Sequence, residues 1–217
     1  MNVVIHSCDK RLWYVNEYLI PALQDQGIEP HIHNDDQHRG NLWAYIDSFR
    51  GLRDDGGTWH LEDDVFPCRK FAEIASEHDS GIVFGFFHRF GDEDFTPGWI
   101  PVSKAGYSFP CFRMPNAIAV EFAEWFLTDA QHRDMYREWV KDNKHIDSFM
   151  LNFLRECHPD EKVFNLKSSI VEHIDEYIGG SVVNHWRDGW CKSEDFEDEE
   201  VIEELKVKLA KRNASLF

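Results

Sequence analysis

Trp59-His60-Leu61-Glu62-Asp63-Asp64-Val65-Phe66 is the stretch on which the fold turns, an apolar, strand-like approach that ends in three consecutive carboxylates. Adjacent negative charges repel one another, so a cation or a donor-rich ligand is the physical reason to hold them together at a strand end. On an extended backbone Glu62 and Asp64 point to one side and Asp63 to the other. Such a pair can share one divalent ion and its ligand, the geometry of a metal-nucleotide clamp. The competing reading is an acidic turn that merely stops a strand. Leu61 on one side and Val65-Phe66 on the other favour the clamp, because they set the carboxylates at the edge of a core and not on a free loop.

Upstream, Asn2 to His6 reads as a short buried strand, followed by the polar turn Ser7-Cys8-Asp9-Lys10-Arg11. Leu12, Val15, Leu19 and Leu23 then recur at helical spacing until Gly27 closes the segment. Ile28 to His33 is a second strand, Asn34 to Gly40 a polar loop, and Leu42, Tyr45, Ile46, Phe49 and Leu52 line one face of a second helix. Two strand-helix units and a third strand ending in carboxylates bring three loops to one edge of a parallel sheet, where such sheets bind ligands. Downstream, the pattern predicts a short helix around Phe71 to Ala75 and a buried strand from Gly81 to Phe87. Residues 90–98 read as an irregular loop, Trp99 to Val102 and Tyr107 to Arg113 as strands. Helices are expected from Pro115-Asn116, over Ala130 to Val140 and over Ile146 to Cys157. Strands at Lys162 to Leu166 and Val171 to Ile174 follow, and an acidic amphipathic helix at about 194–213 carries Ile202, Leu205 and Leu209. The expectation is one α/β domain over 1–217, with a mixed, mainly parallel Rossmann-like sheet flanked by helices.

The 217 residues suffice for a sizeable core, and 42% hydrophobic content argues against disorder. Eight Trp and seventeen Phe must mostly fill that core, though such rings also form platforms for flat or sugar-like ligands. The formal charge of −17, from 23 basic and 40 acidic residues, disfavours non-specific attraction to nucleic acid or anionic membranes. Part of it is local, since residues 193–200 hold six carboxylates in eight positions. Five scattered cysteines with no Cys-x-x-Cys pair fit a reduced, cytoplasmic setting. No run approaches the roughly 18 apolar residues of a membrane helix, so a soluble, unprocessed chain is expected.

The order of these features resembles the metal-dependent GT-A-type glycosyltransferases, above all the lipopolysaccharide-type family that carries Leu-Glu-Asp-Asp-Val, together with related compact phage-type enzymes. Four pieces carry it: Val3 to Arg11, Arg39-Gly40-Asn41 with its helix, Leu61-Glu62-Asp63-Asp64-Val65, and Ser169-Ile170-Val171-Glu172-His173-Ile174. The last is similar to a Ser-Leu-Val-x-His-Ile/Val-Gly run, except that Asp175 stands where those relatives usually have Gly. The resemblance spans roughly residues 1–182 and implies a GT-A-like fold.

The implied reaction moves a sugar from a nucleoside-diphosphate donor, UDP-linked, to a hydroxyl acceptor, with manganese or magnesium as the cofactor. The resemblance gives Asp64 the metal and Glu62 the ribose or a metal-bound water, with Asp63 beside them. His173 becomes a second metal ligand from far along the chain; the plain alternative is a hydrogen-bonded histidine at a strand end. Ser7, Asp9 and Arg11 fall where the nucleobase and ribose would sit, and Arg39 where a diphosphate would; helix caps and a solvated charge compete with those roles. Asp147 is the candidate acceptor-side base, or else a helix cap. The acid-free stretch from Trp99 to Ile118, with Lys104 and Arg113, could line the acceptor pocket. Acceptor classes are a glycan, a protein hydroxyl, or a hydroxymethylated pyrimidine in phage DNA, the last placing the protein in a host cytoplasm. A nucleotidyltransferase and a non-catalytic nucleotide-sugar module are the rival classes, the former weakened because Ser7 to Arg11 lacks glycine.

Overall fold

The computed structural model describes residues 1–53, 56–86, 96–105, 110–142, 146–179, 196 and 198–215. Residues 90–95 of the expected loop, 107–109 of the expected strand and 194, 195 and 197 of the acidic run lie outside them. The strands are β1 (Asn2–Ser7), β2 (His31–Asn34), β3 (Gly57–Glu62), β4 (Val65–Pro67), β5 (Ile82–Phe84), β6 (Gly98–Pro101), β7 (Cys111–Pro115), β8 (Lys162–Asn165) and β9 (Val171–His173). The helices are α1 (Leu12–Tyr14), α2 (Ile20–Gln24), α3 (Asn41–Arg50), α4 (Phe71–Glu77), α5 (Asn116–Thr128), α6 (Arg137–Asp142), α7 (Ile146–Cys157) and α8 (Glu199–Ser215).

Seven strands form one sheet in the order β2-β1-β3-β7-β5-β8-β6. β1, β2 and β3 run parallel, as do β5 and β8, whereas β7 and β6 run against their neighbours. The result is the expected mixed, mainly parallel sheet. Ser7 pairs with Asn34 and His6 with Glu62, so the first three strands end level and their loops share one edge. β4 and β9 form a separate antiparallel ribbon beside it.

The period-2 alternation of the strands divides the core into two layers. Val3, Ile5, Trp59 and Leu61 face one cluster, closed by Tyr14, Leu19 and Leu23 of the first helical run, by Phe71, and by Ile202, Leu205 and Leu209 of α8. The other cluster joins α3, α5 and α7 through Tyr45, Phe49, Phe122, Phe126, Phe149 and Phe153 around Phe112. The acidic helix is therefore docked by its apolar stripe. Arg69 fastens its start through Asp198 and Glu204, while Arg212 fastens its end by pairing with Glu17 and lying 3.9 Å from the Trp13 ring centroid.

Several elements depart from expectation for local reasons. Between α1 and α2 the chain widens into a π-helical turn, Val15–Leu19. Pro21, at the start of α2, has no N–H to return to the carbonyl four residues earlier. β2 begins only at His31, because Pro30 cannot donate to a ladder and Ile28 is held back by Leu23. The helix expected over Ala130 to Val140 splits into two 3-10 turns, Ala130–His132 and Asp134–Tyr136, before α6. The extended backbone of Arg133 separates the turns, while its guanidinium pairs with Asp129 and Glu156.

Candidate metal centre

Strand pairing assembles the site. In the β4-β9 ribbon Val65 lies opposite His173, and the Ile174 amide donates to the Asp64 carbonyl at 2.8 Å. Residues more than a hundred positions apart thereby become neighbours. One ligand atom each from Glu62, Asp64 and His173 lies within 4.8 Å of the other two. Asp63 turns to the other side, where its Oδ2 accepts the Cys8 amide at 3.1 Å and ties β3 to the loop after β1. Asp63 and Asp64 lie in a turn past the end of β3 at Glu62, so the turn, and not the expected strand alternation, makes this division.

Each group is held from behind. Asn41, the first residue of α3, donates through Nδ2 to Glu62 Oε1 at 3.1 Å. The Tyr14 hydroxyl donates to the Val65 carbonyl at 2.8 Å and fixes the strand that leaves the cluster. His173 stands between two carboxylates, with Nε2 3.3 Å from Asp64 Oδ1 and Nδ1 3.3 Å from Asp175 Oδ1. Asp64 Oδ1 is nevertheless buried without a hydrogen-bond partner. It faces the gap that Glu62 and His173 also border, and two carboxylates with one imidazole suit magnesium or manganese. The residues present fit a divalent cation.

Electrostatics separate the three acids. Burial, reinforced by Asp64, pushes Glu62 up to about 7. Burial and Asp64 likewise push Asp63 up to about 7, against the pull of Arg11. Burial also opposes the charge on Asp64, yet His173 and Arg11 outweigh it and hold that carboxyl below the usual range. For His173 burial disfavours the cation, but Asp64 and Asp175 raise it well above the ordinary imidazole value. Asp64 is thus driven apart from Glu62 and Asp63 and becomes the anchor of negative charge.

The remaining candidates are placed as follows. Ser7 is buried, its hydroxyl donating to the Cys8 carbonyl. Asp9 is exposed at the same edge, accepting from Asn34 at 2.8 Å and lying 3.5 Å from His38. Arg11 is only 2% exposed, and its guanidinium donates to the Ile178 carbonyl at 3.1 Å beneath the carboxylates, facing inward from the expected nucleoside side. Arg39 pairs with Asp47 and lies over Trp43, so its charge already has a partner. Asp147, half-buried, is the second residue of α7 and accepts the Ser148 amide through Oδ1, on the helix layer of the second cluster. Arg113 is not at this edge. Its guanidinium packs against Gly57 and donates to the Gly81 carbonyl, at the start of β3, roughly 16 Å of strand away from Glu62. The structure brings together Ser7, Asp9, Glu62, Asp63, Asp64 and His173 at one edge, with Arg11 below. Asp175 was noticed in the sequence only as a departure from a family pattern; its spacing two residues after His173 is the signal that it could touch the ring.

No family model and no curated protein sequence matches the chain. Among solved structures it is similar to Staphylococcus aureus TarS 1-349, at 8% identity and TM-score 0.48, covering 82% of this chain and 62% of that one. It is also similar to the nucleoside-diphosphate-sugar pyrophosphorylase from Vibrio cholerae RC9, at 12% identity and TM-score 0.47, over 80% of this chain and 76% of that one. A197 from STIV matches at 13% identity and TM-score 0.43, over 80% and 86%. The chemistry assigned to the site accordingly rests on its own residues. Among the described residues, no helix is long and apolar enough to cross a membrane.

Proposed function

We propose that the chain is a metal-dependent glycosyltransferase that moves a sugar from a nucleoside-diphosphate donor, UDP-linked, to a hydroxyl acceptor. The observation that carries this reading is the convergence of Glu62, Asp64 and His173, one ligand atom of each lying within 4.8 Å of the other two. Asp64 and His173 hold the cation, and Glu62, steadied by Asn41, takes the ribose side or a bound water. A bound divalent ion supplies counter-charge to the diphosphate as the sugar-phosphate bond breaks. Ser7 and Asp9 meet the nucleoside at the same edge, and Asp63 keeps their loop in place through Cys8. Asp147 is the proposed acceptor-side base, and Arg39 reaches the diphosphate only on exchanging its Asp47 partner. The acceptor is a hydroxyl of a glycan, a protein or a modified DNA base.

Titration calorimetry with UDP tests the reading. Affinity should fall sharply when manganese is replaced by excess EDTA, and equal affinity in both conditions would sink it. Incubation with a UDP-sugar then separates the reaction classes. Release of UDP with or without acceptor is the expected product; formation of UTP and a sugar 1-phosphate when pyrophosphate is added to the UDP-sugar would make the chain a nucleotidyltransferase, and binding without turnover would make it a sensor module.

A further inference from the structure

Asp175 is 3% exposed and sits in the turn that follows β9, at the position where the family that the sequence resembles usually carries glycine. Burying a carboxylate is costly unless something is gained from its charge. Its Oδ1 lies 3.3 Å from His173 Nδ1, while the other nitrogen of the same ring faces Asp64 Oδ1 at 3.3 Å. The ring is thereby clamped edge-on between the turn and the carboxylate cluster. The turn is itself anchored: the Tyr177 amide donates to Ile174, the Ile178 amide donates to Asp175, and the Ile178 carbonyl accepts Arg11. Asp175 is therefore not a loosely placed surface acid but a fixed acceptor aimed at one ring nitrogen.

We propose that Asp175 is a positioning residue that orients His173 for the cation. By accepting from Nδ1 it commits the opposite nitrogen, Nε2, which faces Asp64 Oδ1, to the cation and holds it toward Glu62 and Asp64. Carboxylates that accept from the far nitrogen of a metal-bound histidine fix both its tautomer and its ring angle, and they raise its strength as a ligand. The inference rests on the metal-centre reading above and extends it by one residue. It also accounts for the acid in the turn: a glycine there would leave the His173 Nδ1 proton without its carboxylate acceptor.

Two variants and two readouts test it. Asp175→Ala removes the acceptor, whereas Asp175→Asn keeps an amide oxygen of the same shape without the charge. Manganese affinity, measured by calorimetry without nucleotide, should weaken toward the upper end of the roughly 10–100-fold range for Ala and toward its lower end for Asn. Histidine 15N spectra at saturating magnesium should show His173 with a protonated Nδ1 and a metal-bound Nε2 in the native chain and in the Asn variant, and a fraction of rings detached from the cation in the Ala variant. A structural role alone would lower thermal stability without moving the 15N signature. If the Ala chain does not fold, the Asn variant decides, and manganese affinity within twofold of the native value would overturn the proposal. Native-like affinity and tautomer in a folded Ala variant would overturn it equally. A native chain that takes up no manganese, with Asp64→Ala behaving identically, would instead bring down the metal centre and this inference together.

Discussion

His60 and His173 are both buried, 0% and 8% exposed, and the protein drives them in opposite directions. His60 lies on β3 between aromatic faces, stacked on Phe112 with its centroid 5.0 Å away and edge-on to Phe49 at 4.9 Å. Its Nδ1 meets His6 Nε2 at 3.0 Å, and burial pushes it down to about 3. His6, itself stacked on Tyr45, is lowered too, by burial and then by His60. His173 meets the same burial, but a carboxylate on each ring nitrogen reverses the outcome. Two residues along β3 separate a neutral aromatic pocket from a charged one. The comparison teaches that burial alone does not decide the charge of a histidine here; what faces its two nitrogens does.

The largest effect belongs to the charged pocket. Asp64→Ala and His173→Ala should each lower the transfer rate by about 10²- to 10⁴-fold, the range for lost electrostatic stabilisation. If both hold one ion, the double variant should lose far less than the product of the single effects, because the second change removes an interaction already gone. Strictly multiplicative losses in chains folded by circular dichroism would return His173 to the same standing as His60, a structural histidine at a strand end.

How much of this contrast was legible in the sequence depends on which interactions are local. The three acids after Leu61 announced themselves as a cluster at a strand end, although β3 stops at Glu62 and it is the turn at Asp63 and Asp64 that sorts them. The strand-loop-helix rhythm of the first 62 residues was equally plain, since apolar spacing carries it. His173 could be joined to Asp64 only through a family resemblance; the cause is the pairing of β4 with β9, a contact across more than a hundred residues that no local pattern encodes. The inward placement of Arg11 and Arg113 shares one cause. A cation in sequence reads as solvent-facing, yet Arg11 is drawn inward by the carboxylates and the Ile178 carbonyl, and Arg113 by the Gly81 carbonyl and the open space at Gly57. The His6-His60 pair left no trace either, because its partners sit on two strands and a helix.

Arg11 sharpens the contrast from below. It lowers both Asp63 and Asp64 and donates to Ile178, and the neutral pocket has no such cation to lose. Arg11→Met should therefore destabilise the metal-free protein by about 3 kcal/mol, the scale for removing one partner of a buried charged group. Saturating manganese should narrow the deficit, since a cation in the gap supplies counter-charge to the same acids. Denaturant melts with and without manganese check both statements. A deficit that manganese leaves unchanged would make Arg11 a tether for Ile178 and nothing more.

The smallest effect, and the most direct test of the neutral pocket, is the pH dependence of stability in His60→Phe. Folded His60 titrates near 3 and an unfolded histidine near 6.5. Between those values the unfolded chain holds a proton that the folded chain refuses, so stability is lost as pH falls below about 6.5. From pH 7 to pH 5 this amounts to about 2 kcal/mol for one histidine. Glu62 and Asp63, both raised to about 7, act in the opposite sense, because the folded state keeps their protons longest. His6 adds a loss of its own in the same direction as His60. The carboxyl contributions are present in the native chain and the variant alike and cancel in their difference, whereas His6, relieved of His60 in the variant, is lowered by less and adds to the expected gain. Phe fills nearly the same space against Phe49 and Phe112, so any packing cost should be the same at each pH. The stability of His60→Phe relative to the native chain should then improve by about 2 kcal/mol between pH 7 and pH 5, measured from urea melts. Parallel stability curves would mean that His60 accepts a proton in place, and that the aromatic pocket is as open to charge as the one two residues farther along the strand.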